Sequence, residues 1–160
     1  MTQSILVPMD GSRSAQRALE HACLMQRADG GTLHLLHIVE PPVALDHMGA
    51  QTGSTPVDYT PAQGHETGMA MLKAAWSQVG SRAAEVHFHV EDNPPGRPER
   101  SIVTLARELD IDTIVMGSRG LSDLKGLVVG SVSHRVSHMA HCTVITLHVP
   151  DPVAGDSATH

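Results

Sequence analysis

The chain has 160 residues, 41% of them hydrophobic and 18% charged, with 11 Lys and Arg against 17 Asp and Glu for a formal charge of −6. One domain is the expected count at this length, and Leu, Ile, Val and Phe together exceed the ~20% share below which disorder is the default. The acidic balance argues against nucleic acid, whose phosphates are bound by clustered Lys and Arg, and a single Phe, Tyr and Trp leave little for a base-stacking platform.

No apolar run approaches the ~18–20 residues of a membrane span, and residues 1–5 lack the basic start and apolar stretch of a secretory leader. Cys23 and Cys142 suggest neither a disulfide framework nor a zinc site. The cytoplasm is the expected compartment.

In chain order, residues 4–9 (SILVPM) form an apolar strand stopped by Asp10, Gly11 and Ser12. Ala15, Ala18, Leu19 and Ala22 recur at helical spacing over 12–28, with Ser12 as N-cap and Gly30-Gly31 closing the helix. Residues 32–39 (TLHLLHIV) read as a second strand. The Pro- and Gly-rich stretch 40–64 has no period and is expected to be a long loop, which in a compact domain tends to be functional. Met71, Leu72, Ala75, Trp76 and Val79 predict a helix over 62–82. Residues 85–90 alternate, Val86, Phe88 and Val90 against His87 and His89, as an edge strand does. Ile102, Leu105, Ala106 and Leu109 mark a third helix, 112–116 (DTIVM) a buried strand, 130–140 a fourth helix with Val132, Val136 and Met139 inside, and 143–149 (TVITLHV) the last strand. The domain is expected over 1–150, with 151–160 a flexible tail.

This β-α-β-α-β-α-β-α-β order predicts an α/β fold, a doubly wound five-stranded parallel sheet with helices on both faces. Strands one and four are apolar throughout and belong in the middle; three and five belong at the edges. Order 3-2-1-4-5 follows. It puts the topological switch point, where open α/β sheets bind ligands, between strands one and four.

The distinctive residues of the chain fall there. Asp10 follows strand one, placed to accept from ribose hydroxyls. After strand four come Gly117, Gly120 and Gly130, which let backbone approach an anion, then Ser131 and Ser133 at a helix N-terminus, where unpaired N–H groups and a partial positive charge suit phosphate. Arg119 and Lys125 could screen phosphate charge. Taken singly, such glycines make turns and such serines cap helices; it is the set, at both sides of the switch point, that points to a nucleotide.

The spacing G-x2-G-x9-G-[ST], present as Gly117, Gly120, Gly130 and Ser131, resembles the nucleotide motif of the universal stress protein family, as do ILVPMDGS over 5–12, LLHIV over 35–39 and IVMGSRG over 114–120. The match covers roughly 3–149. The resemblance implies the fold inferred above and the family's ATP-binding branch. Pro8, Met9 and Asp10 would line the ribose and adenine side, Ile38 would lie against the base, and Met116 and Gly117 would sit near the ribose. Gly120, Gly130, Ser131, Val132 and Ser133 would hold the phosphates of ATP or AMP, with Mg²⁺ arriving on the phosphates. The resemblance also implies a homodimer through the last strand, 143–149. The family commonly has a proline after the cysteine, where this chain has Thr143, which restores a backbone donor at that edge.

Neither a Walker pattern nor G-x-G-x-x-G occurs, and no residue stands out as a water-activating base. The expected function is a regulatory nucleotide-binding module with hydrolysis slow at best, acting on a protein partner that the sequence does not name. The alternatives are a slow ATPase or autophosphorylating switch with Ser131 or Ser133 as acceptor, and a nucleotide-independent interaction module. Of the twelve histidines, His134, His138 and His141 have a metal-compatible spacing but read as solvated surface residues. His87 and His89 are expected to be solvated, and His37 hydrogen-bonded. Cys23 and Cys142 read as core fillers. Gly64 to Gly68 (GHETG) matches no zinc motif.

Overall fold

A computed structural model describes residues 3–42, 59–79, 85–92, 97–118 and 130–149. The elements are β1 (Ser4–Pro8), α1 (Arg13–Asp29), β2 (Thr32–Val39), α2 (Pro61–Val79), β3 (Glu85–Asp92), α3 (Pro98–Glu108), β4 (Thr113–Gly117), α4 (Ser131–Met139) and β5 (Thr143–Leu147). All strand pairs are parallel, and the sheet order is β3-β2-β1-β4-β5. The expected α/β fold and strand order are therefore observed.

The sheet divides two cores because successive strand residues point to opposite faces. Ile5, Val7, Leu33, Leu35 and Val115 pack with Ala15, Ala18, Leu19 and Ala22 of α1 and Leu72 and Ala75 of α2. Leu6, Leu36, Ile114 and Met116 pack with Ile102, Leu105 and Ala106 of α3 and Val136 of α4. Each fully buried Leu or Ile stabilises the fold by roughly 1.5–3 kcal/mol. Between α3 and α4, Arg135 reaches the buried Glu99 at 3.5 Å.

Most elements begin or end one or two residues from expectation, and three of these shifts are informative. Helix α2 begins at Pro61, not 62, because Thr60 and Gln63 form a capping box: the Gln63 N–H donates to Thr60 Oγ1 at 3.4 Å and the Thr60 N–H to Gln63 Oε1 at 3.0 Å. The end of the expected loop is thus helical, while its residues 43–58 lie outside the described ones, as do 80–82 of the expected helix and the tail. Strand β3 runs on to Asp92, paired with β2 through Val39. Strand β5 stops at Leu147. The glycines of GHETG serve packing: a Cβ at Gly68 would lie 2.6 Å from His37 Cδ2, so glycine lets α2 close on β2. The donor restored by Thr143 is spent inside the sheet, on the Asp112 carbonyl at 3.2 Å, so it adds nothing to the outer edge of β5.

His89 departs most from expectation. It is half-buried, and its Nε2 lies 3.0 Å from His34 Nδ1 on the neighbouring strand. Burial, and then the adjoining His89 and His87 rings, push His34 from its ordinary 6.5 down to about 4, with Glu85 opposing. Burial, and then His87, also lower His89, with Glu91 opposing. Between about 4 and 6.5 the unfolded chain therefore binds more protons than the native one. This contribution to stability is complete above 6.5 and is lost as pH falls toward about 4. We expect the unfolding free energy from urea titration to fall between pH 7 and pH 4.5 by on the order of 1–2 kcal/mol, discounted for partial exposure. Most of that fall should vanish in His34→Gln; an equal fall in the variant would assign the effect to other groups.

Candidate functional site

Strand β1 pairs with β4 at Ile5–Thr113 and Leu6–Ile114. Its last residues, Val7 and Pro8, remain paired with Leu35 and Leu36 of β2. The crevice that opens at this end of the sheet has a volume of about 420 Å³, within the range of small-molecule sites. Pro8, Met9, Asp10, Ile38, Met116, Gly117, Gly130, Ser131, Val132 and Ser133 all line it. The remaining sequence-predicted residue, Gly120, lies outside the described residues, as do Arg119 and Lys125.

The wall after β1 is held by β2. The Met9 N–H donates to the Leu36 carbonyl at 2.7 Å, and His37 Nδ1 lies 2.9 Å from the Met9 carbonyl. A carbonyl only accepts, so Nδ1 carries the proton; His37 is hydrogen-bonded, as expected. The chain then turns through Gly11, whose φ of +82° is costly for any residue with a Cβ. Asp10 Oδ1 accepts from the Ser12 N–H at 2.9 Å, and Ser12 Oγ caps α1 by accepting from the Ala15 N–H at 3.2 Å. One carboxylate oxygen of Asp10 is thus used by the turn itself.

The opposite wall is organised by Ser118, which sequence reasoning passed over. Its N–H donates to the Leu147 carbonyl at 2.8 Å, and its Oγ lies 3.3 Å from His148 Nδ1. Its carbonyl accepts from the Gly130 N–H and, at 3.2 Å, from Ser133 Oγ. Ser118 therefore ties β5 to the start of α4. Ser133 Oγ also reaches the Gly130 carbonyl at 3.0 Å, so its hydroxyl is committed to backbone and is no free donor. Ser131 is exposed. The first intrahelical bond of α4 runs from the His134 N–H to the Gly130 carbonyl at 3.1 Å, leaving the amides of Ser131, Val132 and Ser133 without intrahelical acceptors.

Gly117 is glycine for packing. A Cβ there would lie 2.4 Å from Ser14 Oγ and 2.8 Å from the Ser14 carbonyl carbon. The first turn of α1 rests directly on the end of β4.

The crevice also takes Ala15, Leu36, His37, Glu40, Ser118 and the start of α3, Pro98 and Ile102. The α3 contribution was available in principle, because every helix following a parallel strand begins at this end of the sheet. A wider depression, about 610 Å³, lies at the opposite end between Asp110, Asp112, His141 and Cys142; its carboxylates suit no phosphate. Burial pushes the thiols of Cys142 and Cys23 up, away from the reactive thiolate. No helix among the described residues is long and apolar enough to cross a membrane.

A family model described as the universal stress protein family matches residues 1–148. Universal stress protein YxiE of Bacillus subtilis is 28% identical over 148 residues, which span 91% of this chain and 98% of that protein. Universal stress protein UspA from Lactobacillus plantarum superposes with a TM-score of 0.67 at 25% identity, covering 91% of this chain and 97% of its own. The universal stress protein from Archaeoglobus fulgidus in complex with dAMP superposes with a TM-score of 0.61, over 91% and 97% of the two chains. Its identity is 21%, so that likeness is one of fold.

Proposed function

The chain belongs to the universal stress protein family, and from that premise we propose that the crevice between β1 and β4 binds an adenine nucleotide, ATP or AMP, and that the protein works as a regulatory binding module. One observation carries the reading: the crevice at the switch point is lined by Ser131, Val132 and Ser133, whose helix-start amides have no intrahelical acceptors. Amides of this kind favour an anion by roughly 0.3–1 kcal/mol at an exposed helix end and up to about 2 when partly buried. The base would lie against Ile38 and Met9, and the ribose by Pro8, Asp10, Met116 and Gly117. The phosphates would lie on the amides of Ser131, Val132 and Ser133. That the Archaeoglobus relative was solved with dAMP is in keeping with this ligand class. Mg²⁺ would accompany the phosphates, holding mostly water.

Because Ser118 joins the crevice wall to β5, occupancy would be felt at the sheet edge. There a second copy would pair along β5 and a protein partner would read the nucleotide state. The test is calorimetric titration of the purified chain with ATP and with AMP in Mg²⁺, with assay of any nucleotide released on denaturation. We expect micromolar binding at one site per chain, or nucleotide already bound. The absence of both, no heat of binding and no nucleotide released on denaturation, would overturn the reading.

A further inference from the structure

His34 on β2 and His87 and His89 on β3 share one face of the sheet, because the strand register sets His34 beside His87 and Leu36 beside His89. The rings of His34 and His89 have centroids 5.3 Å apart and planes 26° from parallel. With His34 Nδ1 and His89 Nε2 only 3.0 Å apart, the two rings meet edge to edge. Only one of the two nitrogens can carry the hydrogen between them; the other offers a lone pair.

We propose that His34 and His89 chelate a divalent transition-metal ion of the copper(II) or nickel(II) class in place of the hydrogen they share, the ring that carried it taking its proton on its other nitrogen. Neutral imidazole nitrogen is the side-chain ligand these ions prefer, and copper(II) stands highest among the divalent ions in affinity for such donors. The two nitrogens face each other across the shared hydrogen, so each ring turns for its lone pair to reach the ion, and the spacing after that turn, not the 3.0 Å of the hydrogen bond, sets the angle at the metal.

Among the described residues no group of three or more His, Cys, Asp and Glu already surrounds one point. The site is therefore a two-nitrogen chelate completed by water. The exposed His87 stands nearest as a further ligand, its ring 5.1 Å from that of His34 and its Nε2 now 3.2 Å from Glu85 Oε1. The ion would join β2 to the edge strand β3 side chain to side chain, on residues that do not line the nucleotide crevice.

The test uses the full chain without an affinity tag, titrated with copper(II) alone and followed by electron paramagnetic resonance and visible absorption. The first equivalent should show nitrogen ligation and bind at least tenfold more weakly in His89→Gln and in His34→Gln, with circular dichroism confirming that each variant is folded. The competing pair is His134 and His138 on α4, whose rings lie 4.5 Å apart. The double variant His134→Gln/His138→Gln should leave the first equivalent unchanged. In the unsubstituted chain, substoichiometric copper should broaden the imidazole resonances of His34 and His89 first. The proposal is overturned if the first equivalent is indifferent to His89→Gln, is lost in the helix double variant, or broadens the α4 histidines first.

Discussion

Gly130→Asp is expected to lower affinity for ATP by at least a hundredfold while leaving the chain folded. Gly130 is the N-cap of α4, with φ −70° and ψ 154°, extended backbone that Asp adopts without strain, and no side chain now caps this helix. Asp is among the best N-cap residues, so the substitution offers the orphan amides a carboxylate of their own. That carboxylate would occupy the ground proposed for the phosphates and repel them. At an effective dielectric constant of ~20, two unit charges ~5 Å apart repel by about 3 kcal/mol, enough for the hundredfold loss. Gly130→Ser separates charge from size. Its hydroxyl also caps the helix but adds no charge, and binding should stay within about tenfold of the parent. Calorimetry on both variants, with thermal melts beside it, gives the answer. Equal loss in Ser and Asp would mean that crowding, not anion competition, sets the result, and full binding in Asp would remove the phosphates from the start of α4.

The strand order was legible because burial on two faces leaves a mark in composition. Ile5, Leu6 and Val7 are all fully buried, and a strand can be apolar at every position only when both of its faces are covered. Alternation in β3 marked an edge by the same logic. Once the order was set, the location of the crevice followed from topology; Pro8, Met9 and Met116 were assigned to it by the family resemblance, and they line it. What stayed hidden depends on contacts between distant residues. That His89 meets His34 follows from the register of two strands, which alternation within one strand does not reveal. That Ser133 spends its hydroxyl on Ser118 and Gly130 required the end of β4 and the start of α4 to be brought together. The capping box at Thr60 and Gln63 is different in kind. Its signal is local, T-P-A-Q with proline at the first helical position, and the surrounding prolines and glycines masked it.

Gly117→Ala should destabilise the fold by roughly 1–3 kcal/mol with no nucleotide present, the usual cost of forcing volume into a packed interior. The reason lies in how α1 meets the sheet. A methyl at Gly117 would fall 2.4 Å from Ser14 Oγ, and rotation of that hydroxyl could relieve this contact. It would also fall 2.8 Å from the carbonyl carbon and the Cβ of Ser14, which no rotamer moves. The first turn of α1 must lift, and with it the Ser12 cap and the Asp10 turn that form one wall of the crevice. Gly117→Ala should therefore weaken ATP binding as a consequence of lost packing, in contrast to Gly130→Asp, where binding falls and stability does not. A second substitution tests the geometry: Ser14→Gly removes the hydroxyl and the Cβ but not the backbone carbon. In the double variant we expect partial recovery of the urea midpoint. Complete recovery would show that side-chain crowding alone excludes a Cβ at Gly117. An unchanged midpoint in Gly117→Ala itself would show that α1 yields freely, and glycine at this position would then answer to the ligand and not to the fold.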